Sequence, residues 1–173
     1  MLNSKELLTA CNQQVGNEFG ASLQYVSIAS YFDGQTLTEL AKFFYAQAEE
    51  ERDHAMKFVR FIVDAGGELE IPDIPATQAG FGSASEAVKL ALESEERVTR
   101  QIYELVNIAT RDSNYIAIRF LDWFVNEQFE EVTTMSGLLQ VVDRAGEERL
   151  LSVEEYLARE GGVIAGPSIG VEG

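Results

Sequence analysis

Apolar residues recur every three or four positions along four long segments of the chain. The first runs from Ser4 to about Asp33 and the second from Thr36 or Thr38 to about Ala65. The third runs from Ser83 or Ser85 to about Arg111 and the fourth from Asn114 to about Arg144. This spacing puts the apolar side chains on one face of an α-helix. The flanking residues agree. Ser4 is a helix-capping type, Ser83-x-x-Glu86 has the form of a capping box, and Gly66-Gly67 and Ala145-Gly146 are helix stops. A short fifth helix is predicted from Glu147 to Arg159. The Gly-rich stretch from Gly161 to Gly173 reads as a flexible tail, so the chain divides into one helical domain over 1–160 and a tail over 161–173.

Loop length predicts the topology. Two or three residues around Gly34 join the first two helices, and Asp112-Ser113 joins the last two, so each pair is antiparallel. The middle connection, Gly66 to Gly82, contains Pro72 and Pro75 and has no helical pattern. A helix of about 28 residues is about 42 Å long. Seventeen extended residues reach up to about 56 Å. The loop can therefore run the length of a bundle and start the third helix at the far end, parallel to the second.

Each apolar face is interrupted near its middle. The first helix carries Cys11, Val15, Glu18, Ser22, Tyr25, Ala29 and Phe32; the second carries Leu40, Phe44, Gln47, Glu51, His54, Phe58, Phe61 and Ala65. The third carries Ala84, Val88, Ala91, Glu95, Thr99, Ile102, Val106 and Ala109. The fourth carries Ala117, Leu121, Phe124, Gln128, Glu131, Met135, Leu138 and Val142. Glu51 and His54, the only histidine, lie three residues apart and point the same way. An unpaired buried carboxylate costs several kcal/mol or more. Arg52, Arg97 and Arg100 fall off these faces and cannot neutralise the acids.

Two divalent cations would balance four carboxylates. Oxygen donors with one imidazole suit iron or manganese and could take zinc. A dinuclear site follows, with Glu51 as the bridge, Glu18 and His54 on one ion, and Glu95 and Glu131 with Gln128 on the other. Glu50, Glu127 and Glu130 lie beside these ligands. They read either as a solvated helix face or as a third, looser cation site. Tyr25, one heptad after Glu18, is either a core tyrosine or an electron donor beside the metals. Trp123 reads as packing.

Composition narrows the partners. The net charge is −16, which disfavours nucleic acid and anionic membranes. No apolar run approaches a membrane span. The first residues, Met1-Leu2-Asn3-Ser4-Lys5-Glu6, lack an export pattern, and the one cysteine, Cys11, fits a reducing compartment, so the expected location is cytoplasmic.

The sequence resembles the ferritin family, and more closely the bacterial non-haem ferritins, over Leu2 to Glu160. The carriers are Asn17-Glu18-Phe19 through Gln24-Tyr25, Glu50-Glu51-Arg52-Asp53-His54, Glu95 before Val98-Thr99, and Asn126-Glu127-Gln128-Phe129-Glu130-Glu131. The implied fold is all-α: a ferritin-like four-helix bundle with one long crossover between helices two and three, plus a short fifth C-terminal helix. The resemblance implies a dinuclear ferroxidase centre at Glu18, Glu51, His54, Glu95 and Glu131, with Gln128 near the second iron. It also implies a third iron site at Glu50, Glu127 and Glu130, a redox tyrosine at Tyr25, O2 or H2O2 as oxidant, and a hollow homo-oligomer of 24 subunits that stores ferric mineral.

Departures from related families refine this expectation. Bacterioferritins carry a second Glu-x-x-His on helix four, where this chain has Glu127 and Glu130. They bind haem through a methionine where this chain has Arg52, so no haem is expected. The missing histidine and the lack of rubredoxin cysteines also disfavour rubrerythrin-like peroxidases. Animal-type ferritins place acids in their threefold pores at positions that count back to Ile118 and Leu121 here. That disfavours iron access along a threefold axis. The alternative on the same scaffold is a di-metal carboxylate oxidase without storage.

Overall fold

Each predicted helix forms, and most begin where a side chain takes up a first-turn N–H. The computed structural model describes residues 4–161, so the tail expected over 161–173 falls outside the described residues apart from Gly161. The helices are α1 (Lys5–Gly34), α2 (Thr38–Asp64), α3 (Ala84–Arg111), α4 (Tyr115–Ala145) and α5 (Leu150–Arg159), and a 3-10 turn (Glu147–Arg149) precedes α5. Ser4 accepts from the Leu7 N–H at 3.2 Å, Ser83 from Glu86 at 3.0 Å and Asn114 from Ala117 at 3.1 Å. The capping box at Ser83 is modified: the Glu86 carboxylate accepts from the Gly82 N–H at 2.7 Å, one residue earlier than the motif requires.

α2 has no side-chain cap of its own. Glu154 of α5 supplies it, accepting from the Glu39 and Leu40 N–H groups at 2.7 and 2.9 Å. Glu147 does the same for α3, accepting from Ala84 at 2.9 Å. The short last helix and the 3-10 turn before it are thus each tied to the start of another helix by charge against the positive helix end.

The crossover runs along α1. Near one end Asn12 holds Glu68 and Glu70, its amide donating to the Glu68 carbonyl at 3.0 Å and its oxygen accepting from the Glu70 N–H at 2.8 Å. Near the other end Gln24 and Ser27 both donate to the Gln78 carbonyl, at 3.0 and 2.7 Å. Between them Pro72 lies against Gly16, where an added Cβ would sit 2.4 Å from the proline Cγ. Only a glycine permits so close an approach.

The crossover brings like ends together. One apolar cluster joins the end of α1 (Tyr25, Phe32), the start of α2 (Leu40, Phe44), the start of α3 (Val88, Ala91), the end of α4 (Met135, Leu138) and α5. The other joins Leu7 and Val15, Phe58 and Ile62, Ile102 and Leu105, and Leu121 and Phe124 from the opposite ends. The starts of α2 and α3 share one end, so these helices are parallel, as the loop length predicts. No helix among the described residues is long and apolar enough to cross a membrane.

Replacing Glu154 with alanine is expected to remove the cap on α2 and lower stability by about 1–2 kcal/mol, the loss usual for a helix cap. Denaturant unfolding of the assembled protein measures it; an unchanged midpoint would show that α5 does not stabilise α2.

Candidate metal centre

Between the two apolar clusters lies a polar layer. Glu18 comes from α1, Glu51 and His54 from α2, Glu95 from α3, and Gln128 and Glu131 from α4; none is more than 5% exposed. Each sits where the apolar face of its helix would otherwise continue. The spacing that makes the core therefore also aims the acids at one another. No Lys or Arg among the described residues is buried. Arg52, Arg97 and Arg100 are exposed, as their positions off the core faces predict.

Two sets of donor atoms come together. Glu18, Glu51 and His54 each offer an atom within 4.8 Å of the others, and so do Glu51, Glu95 and Glu131. Glu51 belongs to both, which is the position a bridging carboxylate needs. Glu18 Oε2, both Glu51 oxygens and His54 Nδ1 are buried with no hydrogen-bond partner. Buried polar atoms are rarely left so, and these face a common point. His54 Nδ1 lies 3.4 Å from Glu51 Oε2, while Nε2 faces Glu127 Oε1 at 3.7 Å. With the proton on Nε2, directed at Glu127, the Nδ1 lone pair is free for a metal.

The electrostatics point the same way. Burial, then the charge of Glu51, pushes the Glu18 carboxyl well above its usual range. Burial, then Glu95, does the same to Glu51. Burial raises Glu131 from 4.5 to about 9, with Glu95 the next cause. Glu95 is also raised by burial, although hydrogen bonds from Tyr25 and Gln128 oppose the shift. Without cations the layer can hold these acids only by keeping protons on them. The donor set, carboxylates with one imidazole, fits iron in both oxidation states.

The ferritin-like domain model of the Ferritin family matches residues 8–145 of this sequence. The chain belongs to the ferritin family. It is 44% identical over 147 residues to Ferritin BfrB of Mycolicibacterium smegmatis, covering 85% of this chain and 81% of that protein. It is 37% identical over 145 residues to the bacterial non-heme ferritin of Staphylococcus aureus, covering 84% and 87%. Among solved structures, an open pore ferritin from the hyperthermophilic archaeon Archaeoglobus fulgidus superimposes with a TM-score of 0.86 at 30% identity, over 90% of this chain and 97% of that one. The family ties this ferritin to iron storage and to an all-helical bundle with a short C-terminal helix.

The other candidate residues divide. Tyr25 is fully buried, and its hydroxyl donates to Glu95 Oε1 across the bundle. Of the three acids assigned to a third site, Glu127 faces His54 and forms a further set of donors with His54 and Glu131. Glu50 and Glu130 are exposed and join no such set among the described residues; Glu50 accepts from the Gln47 amide. Trp123 packs against the site. It is 39% exposed, its ring meets the edge of His54 at 5.4 Å between centroids, and the Lys57 amine lies 4.1 Å above it. Leu121 is buried in this subunit's own core, and Ile118 packs on it.

Gln14 escaped the sequence reading. It is buried and donates to Glu18 Oε1 at 2.9 Å, and its own oxygen accepts from Asn17 at 3.0 Å. The available signal was its place one helical turn before Glu18.

A carboxyl raised by burial holds its proton in the folded state over a pH range where the unfolded chain has lost it. That contribution to stability is present below the unfolded pKa and fades as pH rises toward the folded one. For Glu131 the window runs from 4.5 to about 9. The thermal midpoint of the metal-free ferritin is expected to fall from pH 5.5 to pH 8.5, with a smaller fall in Glu131→Gln and recovery on adding a divalent cation. A midpoint that rises over this range in the metal-free protein would contradict the account.

Proposed function

We propose that this ferritin oxidises Fe(II) to Fe(III) at a dinuclear centre inside each bundle and stores the ferric product as mineral within a homo-oligomeric shell of 24 subunits. The observation that carries the reading is the set of unpartnered donor atoms on Glu18, Glu51 and His54, next to a second group that shares Glu51. Iron is the substrate here. Glu18 and His54 hold one Fe(II), Glu95 and Glu131 hold the other with Gln128 beside it, and Glu51 spans both. Hard carboxylate donors favour Fe(III) over Fe(II), so the same residues that bind the ions lower the cost of oxidising them. Each ion gives one electron, and the pair passes two to O2 or to H2O2. The apolar clusters above and below keep bulk water from the site.

The remaining residues take supporting roles. The Tyr25 hydroxyl, bonded to Glu95, places an oxidisable ring against the second ion, where it can supply a further electron. Glu127, between His54 and the half-exposed face, starts a path by which the ferric product leaves, and Glu50 and Glu130 extend it as a looser third site. Arg52 stands where a haem-binding methionine would be needed, so the protein works without haem. The expected location is the cytoplasm.

Glu51→Ala and His54→Ala are each expected to leave assembly intact by size-exclusion mass and to slow aerobic Fe(II) oxidation by about 100-fold or more, since losing even an outer partner of a metal ligand costs about 10- to 100-fold. Absorbance of the ferric product measures the rate. Oxidation at the parental rate in these variants would refute the assignment. A parental protein that elutes as a small oligomer would instead support a di-metal oxidase without storage.

A further inference from the structure

The two oxygens of Glu18 have different surroundings. Oε2 is buried with no hydrogen-bond partner, and Oε1 accepts from the Gln14 amide at 2.9 Å. Gln14 is itself only 2% exposed, one helical turn before Glu18 on α1. Its carbonyl oxygen accepts from the Asn17 amide at 3.0 Å, and the Asn17 oxygen accepts from the Gln13 amide at 3.3 Å. The three amides therefore point one way: Gln13 donates to Asn17, Asn17 to Gln14, and Gln14 to the carboxylate. The sense of this chain matters. A glutamine can turn either its NH2 or its carbonyl toward a neighbour. Asn17 decides which, because its N–H takes the Gln14 oxygen and leaves the Gln14 NH2 for Glu18. Amides joined in series polarise one another, which strengthens the last bond in a dry layer.

We propose that Gln14, set by Asn17, is a positioning residue that confines Glu18 to one metal-binding oxygen and so keeps a coordination position on the neighbouring iron open for the oxidant. This rests on the dinuclear reading above. Glu18 could chelate an ion through both oxygens only by rotating and giving up the Gln14 bond. In a buried site no water replaces that bond, and leaving the amide without a partner is costly. Oε2 therefore meets the ion alone. A metal site that does chemistry keeps a position free of protein ligands, and a second oxygen from Glu18 would fill it. Gln14 touches neither iron nor oxidant. It acts only through the way it holds Glu18.

Co(II) takes carboxylate and imidazole ligands, and its visible absorption weakens as its coordination number rises. It therefore reads the coordination of Glu18 without iron chemistry. The assembled, metal-free parent is compared with two variants, each loaded with Co(II). Gln14→Met keeps the volume and removes the donor. Asn17→Asp offers Gln14 only an acceptor, so the Gln14 amide turns its carbonyl to Glu18. In both variants the Co(II) band is expected to weaken while Co(II) binds no less tightly than in the parent. The kcat of aerobic Fe(II) oxidation is expected to fall by about tenfold, the scale of one hydrogen bond to a charged group, with KM within about twofold of the parent's. A parental Co(II) spectrum or a parental kcat in either variant would overturn the role given to Gln14. So would weaker Co(II) binding, the result of a merely structural role. If Glu51→Ala matches the parent in Co(II) spectrum and stoichiometry, the dinuclear reading itself fails, and this proposal with it.

Discussion

Four carboxylates occupy a dry layer in this bundle with no buried cationic side chain to answer them. Removing one unpaired carboxylate from water costs several kcal/mol, and a group of them repel one another as well. The folded subunit can meet that cost in two ways: by keeping protons on the acids, which the raised carboxyls show, or by taking in cations. The first is a property of the resting protein and the second is the use proposed for it. The layer is thus a weak point in stability held ready for an ion.

The rest of the fold serves this arrangement. Two apolar clusters, one at each end, supply the burial that the middle layer forgoes. The crossover along α1 makes α2 and α3 parallel, which sets all four acid-bearing turns at one height. Its hold on α1 spans the middle half of the helix, from Asn12 to Ser27. α5 adds to the cluster farther from Phe58 and gives α2 the acceptor its own start lacks, and Glu147 of the preceding 3-10 turn adds one to the start of α3. Apolar packing and candidate metal ligands are divided by position along the helix axis: the ends hold the bundle together, and the middle gathers the buried acids.

Much of this was legible in the chain because helical spacing carries both core and site. On α4 every position of the predicted apolar face, from Ala117 to Val142, is buried. On α2 and α3 the face drifts at the ends: Ile62 is buried where Phe61 was expected, and Leu105 where Val106 was. A heptad repeat of 3.5 slips by about 20° per heptad against a straight helix of 3.6, so error accumulates away from the middle. The central acids escape it. Gln14 was lost to the same approximation, since it flanks the drawn face but lies one turn from Glu18. The caps from Glu147 and Glu154, the bond from Tyr25 to Glu95 and the contact of Trp123 with His54 join residues distant in sequence, and no local pattern shows them. Charge alone does not show burial: Glu50 and Glu130 share the acidic character of the core glutamates but are exposed.

The most direct test is anomalous diffraction at the iron edge from crystals of the assembled protein soaked anaerobically in Fe(II). The account predicts two peaks per subunit inside the bundle, one within coordination distance of Glu18, Glu51 and His54 and one beside Glu51, Glu95 and Glu131. An interior without iron, with those side chains turned toward solvent or toward one another, would contradict it.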